Sequence, residues 1–282
     1  MFVDWRPVRR YEHAGLTFEV LDGGPQDGEV VVLLHGFPQT SASWADVAAG
    51  LHRAGYRTLA PDQRGYSPGA RPAGRRAYRQ PELVGDVVAL LDAAGVERAH
   101  LVGHDWGGAV AWNMAMSQPH RVRTLTSLCT PHPAAFARAL VTSSQLLHSW
   151  YMFAFQLPWL PELGGPARNP DRFAQQLVKS GLPADKARAY TDRLADPGAF
   201  TAAVNWYRGM PFSQGAVRTR VTVPTLYIWS SGDRFLTSKA AELTAGYVDG
   251  PYRFETIDGD HWLPDNEPER VLDLVLPHLR GG

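Results

Sequence analysis

Apolar and polar positions follow two rhythms along the chain. Val30–Leu34 is an unbroken run of Val and Leu, the pattern of a strand buried on both faces of a sheet. Thr58–Pro61, Ala99–Gly103, Val122–Cys129, Pro224–Trp229 and Tyr252–Ile257 read as further strands, and Pro7–His13 and Leu16–Leu21 as an N-terminal pair joined by a turn at Ala14 and Gly15. Between these runs the apolar residues fall at helical spacing. Helices are expected over Ala42–Ala54, stopped by Gly55, and over Pro81–Ala94, where Leu83, Val87, Leu90 and Leu91 share a face and Gly95 follows. Others are expected from Ala109 to about Ser117, near Ser238–Ala245, and over about Pro268–Leu279. The alternation predicts an α/β domain with a doubly wound, mostly parallel sheet of eight strands.

The rhythm breaks after Thr130-Pro131-His132-Pro133. From there to about Gln214 no strand-like run occurs. The segment is helical in composition, broken by prolines and dense in aromatics: Trp150, Tyr151, Phe153, Phe155, Trp159, Trp206, Tyr207 and Phe212. A helical cap inserted between two halves of the sheet domain is expected. It divides the chain into 1–131, first part of the core, 132–215, cap, and 216–282, second part of the core.

Charge changes this picture little. Lys+Arg and Asp+Glu are both 28, so no global field attracts nucleic acid or an anionic membrane. No apolar run approaches membrane-spanning length, and MFVDWRPVRRYEH at the N-terminus has no apolar signal region. A soluble cytoplasmic protein is expected; its oligomeric state is left open, a homodimer being compatible with the sequence. The single cysteine, Cys129, excludes an intrachain disulfide and a Cys-rich metal site, and reads as a buried structural thiol. Five arginines between Arg64 and Arg79 stand among Gly and Pro without a phosphate-cradling turn, and read as a solvated loop.

The candidate chemistry centres on Leu101-Val102-Gly103-His104-Asp105-Trp106-Gly107-Gly108, an apolar strand, a tight turn and an apolar helix. Small residues two before Asp105 and two and three after it suit a strand-to-helix elbow that pushes the central side chain into a cavity. Asp233 and His261 follow in chain order, each in a turn after a strand, where ligands bind in open α/β sheets. A carboxylate is ionised at neutral pH without help from a base and suits displacement at saturated carbon. Asp105 is thus the expected nucleophile, His261 the base that activates water, and Asp233 its orienting acid. The backbone N–H groups of Phe37 and Trp106 are the expected oxyanion donors. His35 reads as a structural hydrogen-bonder beneath that loop.

HGFP at 35–38, DQRGYSPGARP at 62–72, GHDWGG at 103–108, GDRF at 232–235 and GDHW at 259–262 give a resemblance over essentially the whole chain. They resemble the α/β-hydrolase superfamily, on its branch of epoxide hydrolases and haloalkane dehalogenases. The resemblance implies an α/β-hydrolase fold with an inserted helical cap, and an epoxide hydrolase that makes vicinal diols from small apolar epoxides and water without metal or organic cofactor. It implies two cap tyrosines as acids. Val204-Asn205-Trp206-Tyr207-Arg208 is similar to one such motif and gives Tyr207; the segment around Tyr151 resembles the other, with Tyr190 a weaker alternative. Phe37, Trp106 and Trp262, with Trp44 and Phe235, are expected to form an apolar substrate wall. A haloalkane dehalogenase with the same triad is the competing reading, Trp106 being able to donate to a halide although the Phe37 side chain offers no donor. A binding protein of this fold without turnover is a third.

Overall fold

The computed structural model describes residues 7–213 and 220–281, so the expected cap-to-core boundary at 215/216 lies outside the described residues. Eight strands form one sheet: β1 (Arg10–His13), β2 (Leu16–Gly23), β3 (Val30–Leu34), β4 (Arg57–Pro61), β5 (Ala99–His104), β6 (Val122–Leu128), β7 (Thr225–Ser230) and β8 (Tyr252–Ile257). Their order is β1-β2-β4-β3-β5-β6-β7-β8. The β1–β2 and β2–β4 pairs are antiparallel and every other pair is parallel. Crossover helices cover both faces, which is why the central strands carry no polar alternation.

Alternate residues of β3 feed two cores. Val30, Val32 and Leu34 pack with Leu90, Val110 and Ala111 on one face, whereas Val31 and Leu33 pack with Val47, Leu51 and Val275 on the other. The first face is covered by α2 (Gln80–Ala93) and α3 (Trp106–Ser117). The second is covered by α1 (Ala45–Arg53) and a C-terminal helix, Pro268–Arg280. The helix expected from Ala42 begins as a 3-10 turn over Ser41–Trp44, and the helix expected from Ala109 begins at Trp106. The earlier start matters, because it leaves Asp105 as the only residue between strand and helix.

Between β6 and β7 the described residues hold helices and no strand. They are α4 (Pro133–Thr142), α5 (Gln145–His148), α6 (Trp150–Ala154), α7 (Leu160–Leu163), α8 (Pro170–Lys179), α9 (Ala184–Ala195) and α10 (Ala199–Gly209). Most of α10 is buried against the sheet domain, and Trp206 donates to Arg64 O at 2.7 Å. The start of the loop after β4 is therefore not solvated as its arginines suggest, whereas Arg75, Arg76 and Arg79 farther along are exposed. Arg64 is buried and forms a bidentate pair with Asp86, at 2.8 and 2.6 Å. Tyr66 and Tyr78 are buried beside it. The sequence hides this because Asp86 lies in the next helix, so the run looked unpaired.

Among the described residues, no helix is long and apolar enough to cross a membrane.

Candidate active site

Asp105 sits at the C-terminal end of the central strand β5, with φ 50° and ψ −120°. A non-glycine residue holds such a backbone only where its surroundings dictate it. They do so by close approach. A Cβ on Gly107 would strike Leu34 O, and one on Gly103 would strike the Gly107 carbonyl. Thr130 Oγ1 donates to Asp105 O at 2.6 Å and ties the turn to the end of β6. The small residues that flank Asp105 are thus required by space.

The loop after β3 approaches the same carboxylate. A Cβ on Gly36 would collide with the Asp105 side chain, so only Gly lets this backbone come so near. The Phe37 N–H donates to Asp105 Oδ1 at 2.8 Å. The Trp106 N–H, at the start of α3, also bonds the carboxylate. His35 supports the loop from below, accepting from Gln63 N at Nε2 and donating from Nδ1 to Gly36 O at 3.0 Å.

His261 stands on the other side, after β8. Its Nε2 is 3.8 Å from Asp105 Oδ2, and its Nδ1 donates to Asp233 Oδ2 at 2.8 Å. Asp233, after β7, is held by its second oxygen, which accepts from Phe235 N at 2.8 Å and Leu236 N at 3.0 Å. Burial raises the Asp105 pKa above the usual carboxylate range, against the opposing pull of His261 and the two N–H groups. Burial also disfavours the His261 imidazolium, but Asp233 and Asp105 outweigh it and hold that pKa above the ordinary histidine value.

Tyr151 and Tyr207 lie above Asp105 with ring centroids 6.0 Å apart. Burial pushes both hydroxyls well above the ordinary tyrosine value, and the Asp105 charge adds to it, so both are protonated donors at neutral pH. The Trp106 side chain is hydrogen-bonded to Tyr207, and the two rings meet edge to face at 4.9 Å. Two cavities meet at this point, and Asp105, Tyr151 and Tyr207 line both. One, of about 280 Å³, runs between Trp106, Phe136, Leu140 and Met152; the other, of about 360 Å³, runs between Phe37, Phe155, Phe235 and Trp262 and also contains His261.

The sequence-selected Asp105, Asp233, His261, Tyr151, Tyr207, Phe37, Trp106 and Trp262 thus converge on one place. Two others do not. Trp44 is fully buried in the core on the far face of the sheet and lines neither cavity. Tyr190 lines neither cavity and donates to Asp265 at 2.9 Å. Cys129 is buried, with its thiol 3.4 Å from His261 O. Residues that the sequence reading missed include Phe155 and Met152, in the two cavity walls, and Gln39, His104 and Asp265 beneath His261. The last three stand beside or within the motifs, which is the signal that could have drawn attention to them.

Residues 29–268 match the family described as alpha/beta hydrolase fold. The chain is 35% identical over 272 residues to the AB hydrolase superfamily protein YfhM of Bacillus subtilis, covering 94% of this chain and 95% of that protein. It is 34% identical to epoxide hydrolase A of Mycobacterium tuberculosis, covering 95% of each. Among solved structures, epoxide hydrolase A from Mycobacterium thermoresistibile superposes with a TM-score of 0.82 at 29% identity, covering 98% of this chain and 99% of that one.

Proposed function

Because the chain belongs to the alpha/beta hydrolase fold family, on its epoxide hydrolase branch, we propose that it opens a small apolar epoxide to a vicinal diol through an ester on Asp105. The observation that carries the reading is the asymmetric setting of the Asp105 carboxylate. Oδ1 is held by the Phe37 N–H at 2.8 Å, whereas Oδ2 is turned toward His261 and the cavities. Oδ2 is therefore the attacking atom, and Oδ1 becomes the ester carbonyl oxygen.

Oδ2 attacks a ring carbon, the C–O bond breaks, and its electron pair goes to the epoxide oxygen. Tyr151 and Tyr207 hydrogen-bond that oxygen and supply the proton. Water placed by His261 Nε2 then attacks the Asp105 Cγ while the imidazole takes its proton, and Asp233 stabilises the imidazolium. The negative charge forms on Oδ1, where the Phe37 N–H already points, with the Trp106 N–H on the same carboxyl group. The Cγ–O bond to the glycol breaks, its oxygen takes the proton held by the His261 imidazolium, and the diol leaves; the proton left on the Asp105 carboxyl returns to the tyrosinate, and Asp105 is again a carboxylate. In this reading the cap, taken as residues 132–215, contributes both acids and the core contributes the other groups.

Release of halide fits less well. The Phe37 side chain offers no donor, and the Trp106 indole is engaged with Tyr207.

The test is His261→Gln. With an aryl epoxide, intact-protein mass spectrometry should find the mass of the epoxide added to Asp105, with no diol released. Protein that stays unmodified while the native enzyme turns the same epoxide over would refute the two-step scheme.

A further inference from the structure

The carbonyl of His261 is held by a buried polar chain that ends in the cap. His104 Nε2 donates to His261 O at 2.7 Å, and His104 Nδ1 lies 2.8 Å from the Gln39 amide. The other end of that amide lies 2.6 Å from Asp265 Oδ2. Asp265 Oδ1 accepts from Tyr190 at 2.9 Å and pairs with Lys186 Nζ at 3.1 Å, both on α9. Lys186 also donates to Asp265 O at 3.0 Å. His104, Gln39, Asp265 and Tyr190 are all buried.

Asp265 belongs to the short helix that begins two residues after His261, so the chain grips the base's own segment at two points. The cap holds this segment again on its other side. Trp262 Nε1 donates to Ser180, and Asn266 donates to Gly181 O at 3.0 Å. Four contacts from the α8–α9 region thus converge on residues 262–266; the cap also bonds residues 234–237, after Asp233, through Lys179, His148 and Gln145.

Gln39 sits at the centre of the chain. Its Oε1 faces His104 Nδ1 and also accepts from Gly36 N at 3.4 Å, and its Nε2 donates to Asp265 Oδ2. Burial disfavours the charged forms of both His104 and Asp265.

We infer that Tyr190, Asp265, Gln39 and His104 are positioning residues that make His261 competent only with the cap in place, through a continuous buried hydrogen-bonded chain. The inference rests on His261 being the base of the proposed reaction. Its consequence is selective: hydrolysis of the ester depends on the chain, and attack by Asp105 does not.

Single-turnover kinetics with an aryl epoxide, followed by quenching and intact-protein mass spectrometry, separate the two steps. In Tyr190→Phe, hydrolysis should slow on the order of ten-fold and the Asp105 ester should accumulate, with alkylation within about two-fold, since small displacements of a reacting group are costly. Asp265→Leu should behave like Tyr190→Phe. Should Asp265→Leu fail to fold, Lys186→Met, at a half-buried site, gives the same comparison. Unchanged hydrolysis in Tyr190→Phe, or equal slowing of both steps, would overturn the positioning role. Absence of any ester in His261→Gln would instead refute the underlying reaction, so the two failures are distinct.

Discussion

Replacing Asp233 with Asn should separate the two half-reactions by a tautomer change. One carboxylate oxygen of Asp233 accepts from both Phe235 N and Leu236 N, at 2.8 and 3.0 Å. An Asn must leave its carbonyl oxygen there, because its amino group cannot accept from those two donors. The amino group then faces His261 Nδ1, where the native carboxylate stands at 2.8 Å. Nδ1 becomes an acceptor, the hydrogen moves to Nε2, and Nε2 can no longer take a proton from water. The electrostatic loss is of matching size. A carboxylate about 4 Å from the imidazolium charge centre, at an effective dielectric of about 20, contributes roughly 4 kcal/mol. That corresponds to a fall of about 10³ in the hydrolysis rate. Attack by Asp105 needs no base, so alkylation should fall by less than about ten-fold. Rapid quenching with mass spectrometry reads both rates on one sample. Hydrolysis within ten-fold of native, or steady-state turnover without accumulated ester, would refute this reasoning.

Tyr207→Phe should slow alkylation by about 10²–10³, since it removes a donor aimed at developing charge, and Tyr151→Phe should slow it similarly. The double variant should form no ester with any epoxide; retained ring opening would show that other groups are the acids. In pH profiles, Asp105 must be ionised to attack, so alkylation is lost as pH falls through a pKa that burial has raised above the carboxylate range. His261 must be neutral to act, and two anions hold its pKa up in the free protein. Ester formation neutralises Asp105, so hydrolysis should persist at pH values where free His261 is still protonated. An NMR titration of His261 that coincides with the hydrolysis midpoint would contradict this. Away from the site, Arg57 and Asp22 form a buried bidentate pair at 2.9 and 2.6 Å. Arg57→Met should cost about 3–5 kcal/mol by stranding the Asp22 charge, and lower Tm by roughly 10 °C in calorimetry.

The sheet was legible because burial on both faces leaves Val30–Leu34 wholly apolar and the strand before Asp105 largely so, its two histidines being buried with hydrogen-bond partners. The elbow was legible because backbone contacts at Gly103 and Gly107 admit no Cβ, so space itself is recorded in the residue type. Asp233 and His261 could be found because their position after a strand is a local property. What depended on distant partners was hidden. Arg64 looked solvated because Asp86 lies 22 residues away. Gln39 and Asp265 are 226 residues apart, and neither alone signals a link to His261. Tyr151 and Tyr190 both sit on cap helices of unremarkable pattern, and only packing separates the one above Asp105 from the one beneath His261. Trp44 follows the Phe37 loop closely enough to suggest the cavity wall, but its helix turns it to the opposite face of the sheet.

The meeting of the two cavities at Asp105 bears on handedness. An epoxide held there has its two ring carbons already distinguished, because each substituent lies in a different chamber before any bond changes. The chamber that accepts the larger group decides which carbon faces Oδ2, and so which centre is inverted. Narrowing the Phe155 side, the larger at about 360 Å³, or enlarging the Leu140 side, about 280 Å³, should then exchange the preferred enantiomer of the diol without touching a single reacting group.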